Sequence, residues 1–285
     1  MSASSHTLIL PARRTTGAVF ASPHSGRNYA DTLERITPLP DHAIRSSEDA
    51  FVDRLWGDVP RHGAPLLAAC GPRAFIDLNR APEELDPALV EGAPRAAQNP
   101  RVASGLGVIP RVVAGGRPIR QGKMSMAEAE SRIRDWWRPY HGTLRRLLEE
   151  ARAGFGEALL VDCHSMPREA IETPPRGRRP EIVLGDRFGA AAIPALVEGI
   201  EAAFRDAGFT VARNAPFAGA YSVQTYGAPA RGRHAVQVEI DRSLYMDEAR
   251  IEPHAGFDEM RERLSGVAAR ICDLMRPRAG AVAAE

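Results

Sequence analysis

The chain has 285 residues, enough for one large α/β domain with a substantial core. Its 37 basic and 36 acidic side chains nearly cancel, and 44% of its residues are hydrophobic. That composition is ordinary for a soluble globular protein, and it supplies no field that would draw in nucleic acid or an acidic membrane. Cys70, Cys163 and Cys272 are odd in number and show no CxxC spacing, so neither a disulfide framework nor a cysteine zinc site is indicated. The N-terminal apolar run TLIL is too short for a signal-peptide core, and no segment approaches the ~20 apolar residues of a membrane span. A reducing cytoplasm is therefore expected.

Taken in chain order, GAVFAS (17–22) reads as a buried strand running into the turn SPHSG. SSEDAFVDRLWGDV (46–59) reads as a helix, with a serine cap and acidic residues in its first turn. APLLAAC (64–70) and AFIDL (74–78) read as strands. The run from Ser125 to Phe155 has apolar residues at three- and four-residue spacing and predicts a helix ending near Gly154, kinked or divided at Pro139. EALLVDC (157–163) is a further strand, the run 189–209 a helix closing at Gly208, HAVQVEI (234–240) a strand, and 254–276 a last helix. The C-terminal stretch, about 276–285, predicts a flexible tail. Strands alternating with helices predict a single α/β domain over 1–285, with three α/β/α layers and a mixed, mostly parallel sheet. In such sheets ligands sit beyond the carboxyl ends of the strands.

Four strand ends carry the chemistry: His24; Asp77, Asn79 and Arg80; Asp162 and His164; Glu239 and Asp241. His24 and His164 both stand beside turn-forming residues, where neutral imidazoles can ligate zinc. A short HxxE pair is absent, because position 27 is arginine. The third ligand is then expected from the following helix, with Asp49 the first candidate and Glu48 the alternative. The planar fork of Arg80 suits a substrate carboxylate, with Asn79 beside it. Asp77 suits orienting a ligand or that arginine. Alternation places Ala235, Gln237 and Glu239 on one face of their strand and Val236, Val238 and Ile240 on the other. A glutamate on a buried strand face is costly unless it serves a site, which makes Glu239 the candidate general base.

In combination, SPHSG, DAFVDRLW, IDLNRAP, PYH, DCHSMP, YGAP and HAVQVEIDRSLYMDE resemble the N-formylglutamate amidohydrolase family, in that family's order from about residue 18 to residue 248. The resemblance implies a fold related to zinc carboxypeptidases and aspartoacylase. It also implies hydrolysis of N-formyl-L-glutamate to formate and glutamate, a closing step of histidine degradation. Carried over residue by residue, it makes His24, Asp49 and His164 the ligands of one zinc ion per chain. Arg80 and Asn79 would bind a substrate carboxylate, and Glu239 would act as general base. A dianionic substrate needs a second cation, and Arg111 in GVIPRV is the candidate. The expected partner is thus a small N-acyl amino acid, with no nucleic acid and no membrane. Two alternatives stand beside this reading. One is a related zinc deacylase or carboxypeptidase acting on another N-acyl amino acid or small peptide. The other is a catalytically inactive binding protein of the same fold.

Overall fold

A computed structural model describes residues 4–33, 36–94, 99–171 and 178–277. The expected tail lies, from residue 278 onward, outside the described residues. The centre is a seven-stranded sheet. Its strands are β1 (His6–Ile9), β2 (Ala18–Ser22), β3 (Leu66–Ala69), β4 (Ala158–Met166), β5 (Ile182–Gly185), β6 (Val211–Arg213) and β7 (Arg233–Asp241). Their spatial order is β1-β3-β2-β4-β7-β5-β6. The contacts β3–β2, β2–β4, β4–β7 and β5–β6 are parallel, while β1–β3 and β7–β5 are antiparallel. The central strands are apolar on both faces because both faces are covered by helices.

Four helices make the covering layers: α1 (Met126–Arg132), α2 (Arg138–Phe155), α3 (Pro194–Asp206) and α4 (Phe257–Leu274). Period-two alternation divides the sheet residues between two cores. Leu159, Val161, Val236, Val238 and Ile240 meet α3 and α4, together with Trp56 and Phe204. Ala158, Leu160 and Ala235 meet α2 through Tyr140, Leu144 and Leu147. Asp162 and His164 continue the second row on β4, and Gln237 and Glu239 continue it on β7. The polar site therefore opens at the carboxyl end of the sheet.

Three local expectations are corrected by the structure. AFIDL (74–78) is a turn and not a strand: Phe75 and Ile76 donate to Pro72 O, and Asp77 to Val108 O. Its Ala74, Phe75, Ile76 and Leu78 are apolar because they fill the α2-side core. The run 46–59 holds only a one-turn α-helix, Val52–Leu55, followed by a short 3-10 turn from Val59. Phe51 at its start has φ 66°, a left-handed backbone that separates Glu48 and Asp49 from the helix. The long run from Ser125 stays helical past Pro139 through a wide π-turn, Ile133–Trp137, closed by Arg138 N–H donating to Ile133 O, so that Pro139 falls in the first turn of the following helix, where a missing N–H is tolerated. No helix among the described residues is long and apolar enough to cross a membrane.

Candidate active site

His24 stands two residues beyond β2, and Gly26 lets this turn pack closely. A Cβ at Gly26 would lie 2.2 Å from Gly71 O. Asp49 is fixed from both sides, since its own N–H donates to His24 O at 3.0 Å. His164 lies within β4, and its direct ladder partner on β7 is Glu239. The turn at 74–78 carries Asp77 and Asn79 across to meet them.

These side chains interlock. His24 Nε2–H donates to Asp77 Oδ1 at 2.7 Å, and His164 Nε2 lies 3.0 Å from Asp162 Oδ2. With those nitrogens engaged, each Nδ1 turns toward the same Asp49 Oδ2, at 3.3 Å from His24 and 3.0 Å from His164. His24 Nδ1 is buried without a hydrogen-bond partner among the described residues. Two imidazole lone pairs aimed at one carboxylate oxygen need a positive centre between them, either a proton or a metal ion. One atom from each of His24, Asp49 and His164 lies within 4.8 Å of the others, so the trio is placed to hold a metal ion. Asp77 and Asp162 behind the imidazoles complete the carboxylate–histidine arrangement that orients metal ligands.

The electrostatics follow from this packing. Burial pushes the Asp49 and Asp77 carboxyls up, but their charged and hydrogen-bonded neighbours outweigh it. His164 and His24 hold Asp49 well below the usual range, and His24 and Arg73 do the same for Asp77. Burial pushes His164 down, but Asp162 and Asp49 outweigh it and hold this imidazole well above the ordinary value. Glu239 is shifted upward, chiefly by burial, with the charge of Asp49 adding to the shift and His164 opposing it.

Glu48 lies outside the trio. Its Oε2 accepts from Tyr29 Oη–H and Arg45 Nε–H, both at 3.0 Å. Glu239 is not paired with Arg242, which instead donates to Asp49 Oδ1 and Ser165 Oγ. Asn79 is used within the protein, donating to Asp162 and accepting from Ser222 N–H. Arg80 lines the cleft above the cluster, whereas Arg111 does not. Arg111 Nε donates to Asp86 at 2.7 Å.

Four further residues support the site. Gln237 donates to Glu239 Oε1 at 2.7 Å and accepts from Ala220 N–H. His141 Nε2–H donates to Leu78 O and Trp137 Nε1–H to Arg80 O, so the two clasp the backbone on either side of Asn79. Tyr226 Oη–H donates to the remaining His141 nitrogen. Alternation on β7 already pointed to Gln237, and PYH already marked His141. The cleft measures about 470 Å³ and is lined by the cluster, by Glu239 and Gln237, and by Arg73, Arg80, Arg101 and Arg242.

Water addition is the chemistry such a corner can serve, because a carboxyl raised by burial stands beside a trio placed to hold a cation, at the floor of an arginine-lined cleft. This is a hydrolase site. The N-formylglutamate amidohydrolase family pattern matches residues 16–246. N-formylglutamate deformylase of Pseudomonas putida is 34% identical over 238 residues, covering 81% of this chain and 82% of that protein. The deformylase of Pseudomonas aeruginosa is 33% identical with the same coverage. The crystal structure of N-formylglutamate amidohydrolase from Ralstonia eutropha JMP134 superposes with a TM-score of 0.89 at 37% identity, covering 96% of this chain and 99% of that one. A gene product of Agrobacterium tumefaciens shares the fold at 16% identity, with a TM-score of 0.66 and coverage of 96% and 95%. The chain belongs to the N-formylglutamate amidohydrolase family and is an amide hydrolase.

Proposed function

We propose that this chain is a metal-dependent amidohydrolase that cleaves N-formyl-L-glutamate to formate and L-glutamate, in the cytoplasm, as a closing step of histidine degradation. The observation that carries the metal is the pair of Nδ1 atoms converging on Asp49, one of them buried and unpartnered. Two nitrogens and one carboxylate oxygen suit zinc, with room for further ligands. His24, Asp49 and His164 would hold one such ion per chain. When bound, it supplies a Lewis acid that polarises the formyl carbonyl and favours deprotonation of water.

The chain's own residues account for the remaining steps. Glu239, its carboxyl raised by burial, accepts a proton from the attacking water. Gln237 holds Oε1 of Glu239, which leaves the other oxygen for the transfer. The C–O bond to water forms, the C–N bond breaks, and Glu239 returns the proton to the departing amine. Arg80 holds a substrate carboxylate from the cleft wall.

The experiment is a panel of N-formyl, N-acetyl and N-succinyl amino acids given to metal-reconstituted enzyme. N-formylglutamate is expected to be cleaved fastest, with stoichiometric formate. Preference for another acyl amino acid would replace the substrate, and inertness toward the whole panel would reject the activity.

A further inference from the structure

Four arginines line the cleft, and two of them are committed. Arg73 Nε donates to Asp77 at 3.0 Å. Arg242 ties Asp49 to Ser165. The other two are available. Arg80 approaches Glu84 only to 3.8 Å, and its buried Nε has no hydrogen-bond partner among the described residues. Arg101 sits on the short helix Pro100–Ala103, where Asn99 Oδ1 caps its backbone N–H. Its guanidinium makes no ion pair among the described residues, and it is exposed at the cleft.

Both guanidinium groups line the same cleft. Burial lowers the Arg80 pKa, Asp77 opposes that shift, and the Arg101 charge adds to it, so the two cations feel one another. Glu84 reaches only one edge of this pair, at 3.8 Å from Arg80, and two cations facing one cleft favour a bound anion. We infer that Arg80 and Arg101 form a two-cation subsite in which Arg101 holds the second carboxylate of the substrate and selects a dicarboxylate over a neutral analogue. Position assigns the roles. Arg80 follows Asn79, which touches Asp162 and His164, so it lies near the reacting bond and takes the α-carboxylate. Arg101 lies farther out and takes the side-chain carboxylate, two methylenes away. Arg111, paired with Asp86 outside the cleft, has neither the position nor the free charge for this role.

The inference rests on the proposed substrate class, and the test separates the two. Wild type, Arg101→Gln and Arg101→Lys are compared on N-formylglutamate and N-formylglutamine. Losing one charge-assisted contact should raise KM for N-formylglutamate in Arg101→Gln roughly 10- to 100-fold. KM for N-formylglutamine should rise less than about threefold and kcat change little, since the contact is uniform binding remote from the reacting bond. Arg101→Lys should fall between. Binding of the product L-glutamate, measured by calorimetry, should weaken in parallel, and that of L-glutamine should not. Wild type that leaves N-formylglutamate intact overturns the proposed function and this inference with it. Wild type that cleaves it, while Arg101→Gln shows no loss or an equal loss on both substrates, overturns the inference alone.

Discussion

His164 and Glu239 are direct partners in the parallel ladder between β4 and β7. The imidazole proposed as a ligand and the carboxylate proposed as the base are thus positioned by one strand register. Period-two geometry puts both on the same face, and a one-residue slip of either strand would turn its residue to the opposite face. Replacing Glu239 by Gln keeps the shape and removes the proposed base. Turnover should fall by about 10²–10⁴-fold. Metal content should match wild type. Steady-state rates with metal analysis on the same sample check this, and near-normal kcat would remove Glu239 from its role.

The convergence of two Nδ1 atoms on Asp49 predicts that a chelator strips both the ion and the activity. Adding the metal back should restore both. Asp162 lies behind His164, so Asp162→Asn should weaken metal affinity by about 10–100-fold without removing a ligand. Competition titration against a chromophoric chelator measures it. Full activity in metal-free protein would discard the whole ligand trio.

His141 predicts a pH effect on stability. Burial lowers its pKa from 6.5 to about 4 in the folded chain. The unfolded chain therefore binds the extra proton between those values, and folded stability falls as pH drops through that window. Above pH 6.5 the contribution is fully present. The total is on the order of 3 kcal/mol. His141→Gln should flatten this part of the slope, read as denaturation midpoints at pH 7 and pH 4.5 (about those values). An unchanged slope would show that His141 does not titrate differently on folding.

Gly26 predicts a packing effect at the cluster of His24, Asp49 and His164. An added Cβ would meet backbone at 2.2 Å from Gly71 O and 2.7 Å from Cys70 C, and backbone cannot rotate away. Gly26→Ala should cost about 1–3 kcal/mol and displace His24, lowering metal affinity as well. Thermal unfolding with metal titration tests both, and a variant with wild-type values in each would show that the turn can open freely.

The central strands and both histidines were legible because buried strands and polar strand exits leave local marks in a sequence. Asp49 was legible as a candidate, but its setting was not. The acidic first turn suggested a helix, whereas Phe51 breaks the backbone and leaves Asp49 in a loop bonded to His24 O. AFIDL misled for a related reason, since an apolar run shows burial and does not distinguish a strand from a packed turn. The choice between Arg101 and Arg111 was beyond local reading. It depends on Asp86 reaching the Arg111 guanidinium while no ion pair among the described residues reaches that of Arg101, which only tertiary structure decides.

The cluster draws on residues as distant in the chain as His24 and Glu239, joined through a sheet whose central neighbours β2 and β4 are separated by more than a hundred residues. Such pairing is slow to form, because loop closure must come before the contacts that reward it. No local segment can pre-assemble the trio, so an ion held by it would not act as an early nucleus. An ion bound there would lock the chain only after the sheet has closed, and its affinity would then add to resistance against global opening.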